Sequence, residues 1–167
     1  MLALSVKQPW ALMLAVGLKR VETRTWRPSP ERVPEGTEFL LHASVTLDKG
    51  AMKYLAERGC LAHPLLGGLP KSHGVDMYNV LRKPVTGAII ARVKLVEVHR
   101  YWGEKSFAKH ESLHLCPLDR YAPTKYGFEI KPIEVFSEPI PCRGYQGFFP
   151  VPEDVLARIP VPAEVAG

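Results

Sequence analysis

Residues 4–26, LSVKQPWALMLAVGLKRVETRTW, decide the fold. They continue an apolar run of strand length at 2–6, and Pro9 then suits the first turn of a helix because its φ is already helical. One face of the expected helix has the spacing i, i+3, i+4, i+7 and is made by Trp10, Met13, Leu14 and Gly17. Gly17 is placed to end the helix in the left-handed conformation that glycine adopts readily. We therefore predict a strand, a helix and a sharp turn in direct succession.

A charged strand is expected directly after that turn, because residues 21–26 alternate as a β-strand does. One strand face would carry Glu22, Arg24 and Trp26, and the other Val21, Thr23 and Thr25. Together with Lys19, the charged residues have two interpretations. In the first interpretation, they form an exposed ion pair that contributes ~0–1 kcal/mol to stability. Alternatively they form a site, in which Lys19 and Arg24 bind phosphate and Glu22 accepts from a base amino group.

Length and composition indicate one globular domain. The chain has 167 residues, enough to bury roughly 70% of its unfolded surface. Its three cysteines, Cys60, Cys116 and Cys142, cannot all pair and show no C-x-x-C spacing, which favours free thiols in a reducing compartment. No apolar run approaches the ~20 residues of a membrane span, and the first residues lack the basic start of a signal peptide. We therefore predict a cytoplasmic protein without a membrane segment.

The net charge of +5 is spread along the chain without runs of one sign. Such an excess fits ordinary solubility. It also fits a nucleic-acid partner, whose phosphates attract lysine and arginine. Charge alone does not decide between the two.

The remaining strands and helices do not alternate strictly. Strands are predicted at 39–44, 85–98 and 126–131, with Pro132 and Pro139 marking edges or bends. Thr46 is expected to cap a helix over 47–58, a short helix is expected at 106–115, and Pro152 is expected to start a last one. The pattern predicts a mixed α+β, β-rich fold: a small barrel of five to six strands with helices outside it.

The spacing G-x-K-x-x-E-x-R occurs once in the opening stretch, at Gly17, Lys19, Glu22 and Arg24. It resembles the marker of the ASCH family, a branch of the PUA-like superfamily. The likeness continues in FLLHAS at 39–44, TGAIIARVKLVEV at 86–98 and PIPCRGYQGFFPVP at 139–152. It covers most of the chain, with 62–83 and 101–124 unmatched.

This resemblance implies a PUA-like pseudobarrel of five to six strands with flanking helices, in one domain over 1–160 followed by a C-terminal tail at 161–167. It also implies a basic cleft beside the first helix that binds nucleic acid, with RNA as the expected ligand and no cofactor. The residues expected at this site are Gln8, Lys19, Glu22, Arg24, Trp26, His42, Ser44, Arg143, Tyr145 and Gln146. Trp26 is the candidate for stacking on a base, whereas Trp10 on the apolar helix face is expected in the core.

Two other functions stay open. Some small ASCH-like proteins are amidohydrolases acting on acetylated cytidine, in which a lysine activates a threonine of the same stretch. Here Lys19 matches, but Glu22 stands where that threonine is expected, and Thr23 and Thr25 would face the other side of the strand. Lys19 and Glu22 would therefore be the catalytic residues if the chain is an enzyme acting on a modified nucleoside. The remaining alternative is a protein-interaction module.

Three further patterns are not expected to form a metal site or a catalytic triad. The segment 110–114, HESLH, matches H-E-x-x-H of zinc enzymes, but its helix is short and no third ligand has suitable spacing, so no metal is predicted. Cys60-x-x-His63 lacks a partner pair. His42 and Ser44 have no aspartate at a spacing that suggests a triad, so serine-hydrolase chemistry is rejected.

Overall fold

The protein is built on a sheet of six strands, seen in a computed structural model that describes residues 1–51, 84–121 and 124–161. The strands are β1 Leu2–Gln8, β2 Val21–Arg24, β3 Glu38–Leu47, β4 Ala88–Arg100, β5 Tyr126–Pro141 and β6 Phe148–Pro150. The helices are α1 Trp10–Ala15, α2 Glu104–Ala108, α3 Glu111–His114 and α4 Glu153–Leu156, with a 3-10 turn at Leu118–Arg120. The predicted mixed α+β, β-rich fold is confirmed. In the described ranges, no helix has the length and apolar character needed to cross a membrane.

The strand order is β2-β5-β4-β3-β1-β6. β1 and β3 are parallel, and the other neighbouring pairs are antiparallel. A parallel pair needs a crossover connection, and the chain supplies it with α1, β2 and the residues that follow β2. The parallel pair places the ends of β1 and β3 side by side, next to the start of α1.

Two apolar clusters cover the two faces of the sheet. The inner cluster includes Leu4, Phe39, Leu41, Val93 and Phe128, and the outer cluster includes Ala3, Leu40, Phe149 and Val155. The strict alternation expected along β4 is wrong at one point, where a register shift lies between Ile89 and Ala91. Because of this irregularity Ile89 joins the outer cluster, while Ile90 and Ala91 both join the inner one.

Strand β5 does not stop at Pro132 but continues to Pro141. The missing proline N–H is tolerated because β2 pairs only with the first part of β5, Tyr126 to Glu129. Beyond Glu129, Ile130 N–H still donates to Arg20 O at 2.7 Å on that side, and from there the strand pairing continues with β4. The prediction that the prolines mark a sheet edge therefore agrees with their position, and only the predicted end of the strand is wrong.

The first helix ends as expected, with Gly17 at φ +79°. The cap expected at Thr46 for the helix over 47–58 is wrong: Asp48 accepts the backbone N–H groups of Gly50 and Ala51, each at 3.2 Å. The predicted helix over 47–58 lies mostly outside the described residues, and so does Cys60-x-x-His63. The single helix predicted at 106–115 is two short helices, α2 and α3.

Candidate functional site

The two ends of the strand order come together because the sheet is curled. Arg24 on β2 donates from Nη2 to the carbonyl oxygen of Ser5 on β1, at 2.8 Å. The ring of Trp26, just after β2, lies 6.2 Å from the ring of Phe148 on β6. These contacts join strands that share no backbone ladder, and they leave a cavity between them.

This cavity measures ≈ 900 Å³. The residues expected at the site that line it are Lys19, Glu22, Arg24, Trp26, His42, Ser44, Arg143, Tyr145 and Gln146. The other described residues of the lining are Ser5, Lys7, Trp10, Thr23, Thr25, Val45, Asp48, Cys116, Thr124, Cys142, Gly144 and Gly147. The structure thus brings together nine of the ten expected residues.

Gln8 is the expected residue that lies elsewhere. Its side chain is 2% exposed, donates to Val85 O at 2.9 Å and accepts from the backbone N–H of Leu12 at 3.1 Å. The amide therefore ties the start of α1 to the segment before β4. The cleft-facing position expected for Gln8 is corrected to a structural one.

A buried ion pair forms the floor of the cavity. Lys19 Nζ lies 3.5 Å from Glu22 Oε2 and donates to His114 O at 2.6 Å, and only 3% of its side chain is exposed. Glu22 Oε1 lies 3.1 Å from Arg24 Nη2, so one carboxylate contacts both cations. Burial lowers the pKa of Lys19 below its ordinary value, and the charge of Glu22 opposes this effect. An exposed surface pair, one of the two interpretations of these residues, is thus not what forms.

Trp10 is half-buried: it packs against the inner cluster, as its helical spacing indicated, and it also lines the cavity. Its Nε1 donates to Asp48 Oδ2 at 2.9 Å, and Lys19 Nζ lies 5.0 Å from the centre of its ring. No local pattern pointed to Asp48, because it lies 38 residues from Trp10 in the chain. The indole therefore links the ion pair to a second carboxylate.

Trp26 has a double role. Its ring packs edge-on against Phe128 at 5.2 Å, so part of it belongs to the inner cluster. The rest lines the cavity, 5.9 Å from the guanidinium carbon of Arg24. Thr23 and Thr25, expected on the opposite strand face, line the cavity as well.

His42 is buried between β1 and the loop after β5. Its Nδ1 lies 3.0 Å from Ser5 Oγ and its Nε2 lies 3.0 Å from Cys142 O. A Cβ at Gly144 would overlap the imidazole, so only glycine lets this loop approach the ring so closely. Burial lowers the pKa of His42 below its ordinary value of 6.5. The partner Ser5 was not expected from the sequence, since the two residues meet only through the parallel pairing of β1 and β3.

The rim is formed by the loop after β5. Arg143 is exposed and its guanidinium carbon lies 5.5 Å from the centre of the Tyr145 ring. Tyr145 is 53% exposed, and Gln146 is exposed beside it. Lys7 on β1 is exposed and also lines the cavity. Two exposed cationic side chains, Lys7 and Arg143, and the phenol ring of Tyr145 therefore lie at the cavity opening.

The H-E-x-x-H segment does not form a zinc-binding face. His114 is fully buried, its Nε2 lies 2.9 Å from Phe107 O and its Nδ1 accepts from Cys116 N–H at 3.0 Å. His110 instead contacts the hydroxyl of Tyr101 at 3.2 Å. Both ring nitrogens of His114 are thus held by backbone groups.

A second polar cluster lies outside the cavity lining. His99 contacts Glu97 through Nδ1 at 3.4 Å and Glu129 through Nε2 at 2.9 Å, and Glu129 also pairs with Arg20 at 2.7 Å. One ligand atom from each of Glu97, His99 and Glu129 lies within 4.8 Å of the other two, a spacing that a metal ion can bridge. Glu129 is already engaged by Arg20 and His99, so the contacts described here form a polar network around that carboxylate.

The fold and the cavity define a curled mixed sheet with a polar site between its two edges. The chain belongs to the ASCH domain family, whose model matches residues 4–137. Its structure is similar to that of ASCH from Zymomonas mobilis, with a TM-score of 0.56, 12% identity, and 94% of this chain and 91% of that chain covered. A variant of the same protein with a tyrosine replaced by phenylalanine gives a TM-score of 0.55 at 12% identity, covering 94% of each chain. Among curated proteins no match is found. At this identity the structural likeness supports the fold alone.

Proposed function

We propose that this chain binds single-stranded RNA and takes one nucleotide into the cavity. The observation that carries the proposal is that cations and aromatic rings line the same cavity. The cations are Lys7, Lys19, Arg24 and Arg143, and the rings are Trp10, Trp26 and Tyr145. Proteins that bind single strands combine these two elements, because cations follow the phosphates and rings stack on bases.

The size of the cavity is in keeping with this ligand. Its volume of ≈ 900 Å³ lies in the range of roughly 300–1,000 Å³ that is usual for small-molecule sites. A base with its ribose and phosphate is a ligand of that size class. Two carboxylates, Glu22 and Asp48, lie in the lining and can accept from the amino groups of a base.

The phosphate contacts are assigned to the rim. Lys19 is occupied by His114 O and Glu22 at the buried floor. Lys7 and Arg143 are exposed, so they can reach the backbone of a strand that enters the cavity. Each phosphate contact releases counterions, and each should contribute roughly 0.7 to the log–log salt slope on a single strand.

Stacking is best tested at Tyr145. Trp26 packs on Phe128 in the inner cluster, so its removal would also affect stability. Tyr145 is more than half exposed, and its loss should mainly affect binding. Base stacking contributes ~1–3 kcal/mol by alanine substitution.

The experiment is fluorescence anisotropy with a labelled single-stranded oligoribonucleotide at several salt concentrations. Lys7→Ala and Arg143→Ala should weaken binding and flatten the salt slope, whereas Tyr145→Ala should weaken binding with the slope nearly unchanged. Lys94→Ala is the control, because Lys94 is exposed on β4 and outside the cavity lining. If each of the three cavity variants is folded and binds RNA as tightly as the wild type, the proposal is contradicted.

The buried Lys19–Glu22 pair favours a second candidate, hydrolysis of a modified nucleoside such as acetylated cytidine. Burial lowers the pKa of Lys19, and a desolvated lysine beside a carboxylate can transfer protons. Glu22 in this mechanism would act as the base on water. Release of acetate from acetylated cytidine, abolished by Lys19→Met, is the expected result, and no release by the wild type would remove this candidate for that substrate.

A further inference from the structure

Ser5 and His42 form a hydrogen-bonded pair at the wall of the cavity. They are directly paired in the register of β1 and β3, and Ser5 Oγ lies 3.0 Å from His42 Nδ1. Both residues line the cavity, and Ser5 is partly exposed there. Strands with both faces packed hold the two side chains, so their geometry is set by the sheet.

The direction of the hydrogen bond follows from the other side of the imidazole. His42 Nε2 lies 3.0 Å from Cys142 O, and a carbonyl oxygen can only accept, so Nε2 carries the proton. In the neutral ring Nδ1 is then the acceptor, and the Ser5 hydroxyl must donate to it. A hydroxyl, a base that receives its proton, and a third group that orients the base are the parts of an activated nucleophile.

Two features keep the base ready. Burial lowers the pKa of His42 below 6.5, so the ring is neutral at neutral pH. The backbone at Gly144 packs on the imidazole so closely that a side chain there would overlap it, which fixes the ring plane. The carbonyl of Cys142 takes the place that an aspartate occupies in a Ser-His-Asp triad. The rejection of serine-hydrolase chemistry from the sequence considered only Ser44 and an aspartate, and the structure instead offers Ser5 and a backbone carbonyl.

We propose that Ser5 is a nucleophile, with His42 as its general base, for hydrolysis of small acyl esters or amides that enter the cavity. This activity goes beyond RNA binding and does not depend on it. Arg24 donates to the backbone oxygen of Ser5 at 2.8 Å and pairs with Glu22 at 3.1 Å, so a guanidinium lies next to Ser5 at the cavity wall. The rings and rim cations of the same cavity favour an acyl group carried by a ring-bearing anion.

The reaction balances without a cofactor. Ser5 Oγ forms a bond to the acyl carbon while its proton passes to His42 Nδ1. The bond from the acyl carbon to the leaving oxygen or nitrogen then breaks, and the leaving group takes the proton from Nδ1. Water attacks the acyl-serine, its proton passes through Nδ1 to Ser5 Oγ, and the carboxylic acid is released.

The test is covalent labelling with a fluorophosphonate, read by intact mass and peptide mapping. The wild type should gain one adduct, on Ser5, and Ser5→Ala should gain none. Ser137→Ala is the matched control, because Ser137 is an exposed serine on β5 outside the cavity lining, and it should label as the wild type does. Thermal melts establish that each variant is folded.

Turnover of 4-nitrophenyl acetate gives the second readout. His42→Gln should slow turnover by roughly 100-fold or more, the usual contribution of a general base. The wild-type rate should fall with pH only below 6.5, because the pKa of His42 is lowered. The proposal is overturned if folded wild type gains no adduct, or if Ser5→Ala labels and turns over as well as Ser137→Ala does.

Discussion

Glu22 holds two cations at the floor of the cavity. Its carboxylate lies 3.5 Å from Lys19 Nζ and 3.1 Å from Arg24 Nη2, and its side chain is only 10% exposed. A buried ion pair of this kind need not stabilise the fold compared with apolar residues. Removal of one member is nevertheless costly, because it leaves the other charge buried without compensation.

Glu22→Gln should therefore lower the free energy of unfolding by ~3 kcal/mol or more, measured by urea denaturation at neutral pH. The same substitution should lower the pKa of Lys19 further, because Glu22 is the main group that raises it. Glu138→Gln, at an exposed position on β5, is the control and should be nearly neutral. Equal stability of the two variants would contradict the description of the floor as a buried pair.

At individual positions, the sequence predicted those site residues that a local spacing connects. Lys19, Glu22 and Arg24 lie within one turn and one short strand, so a motif finds them. Ser5 and Asp48 were not identified from the sequence, because their partners, His42 and Trp10, lie 37 and 38 residues away. Helical spacing assigns Trp10 to the apolar face correctly, but it cannot tell whether that face ends in the core or at a cavity.

Among the secondary-structure elements, β5 shows where local rules fail. Pro132 and Pro139 indicated bends, yet β5 runs through them because β2 covers only its first four residues. Whether a neighbouring strand reaches a given residue depends on the length of another element, which a local pattern does not contain. A register shift at Ile89 likewise places two successive side chains, Ile90 and Ala91, in one cluster, which alternation alone does not predict.

Gly127 on β5 is a position where an added methyl group has no room. A Cβ there would lie 2.5 Å from Tyr101 Oη and 2.6 Å from Val21 Cγ1. Gly127→Ala should destabilise the protein by ~1–3 kcal/mol, the usual cost of overpacking, seen as a lower urea midpoint. Gly103→Ala is the comparison, since nothing lies within 4 Å of a Cβ at that glycine. A loss at Gly103 as large as the loss at Gly127 would show that the crowding is not the cause.

For the whole molecule, the strand count and the class of fold followed from alternation and turn residues. The curl that brings β2 to β1 did not, although it creates the site. It depends on side-chain contacts between the ends of the strand order, such as Arg24 with Ser5 O and Trp26 with Phe148. These contacts join residues that no spacing relates, so the cavity emerges only when the sheet is assembled.

Stability should fall in mildly acidic solution because two buried histidines resist protonation. Burial lowers the pKa of both His42 and His114 below 6.5, and the charge of Lys19 lowers that of His114 further. Protonation of His114 Nδ1 would also place a donor against the N–H of Cys116, which it now accepts. Between the folded pKa and 6.5 the unfolded chain binds more protons, so the free energy of unfolding decreases as pH falls through this window.

The loss should reach at most about 1.4 kcal/mol per pH unit for each histidine. Urea denaturation at pH 7, 6 and 5 measures it, above the range near 4.5 where glutamates titrate. His114→Asn keeps one donor and one acceptor near Phe107 O and Cys116 N–H but does not titrate, so its stability should depend less on pH than that of the wild type. Unfolding free energies of the wild type that are equal at pH 7 and pH 5 would refute this account, because a histidine that stays neutral in the folded state must oppose folding once the unfolded chain is protonated.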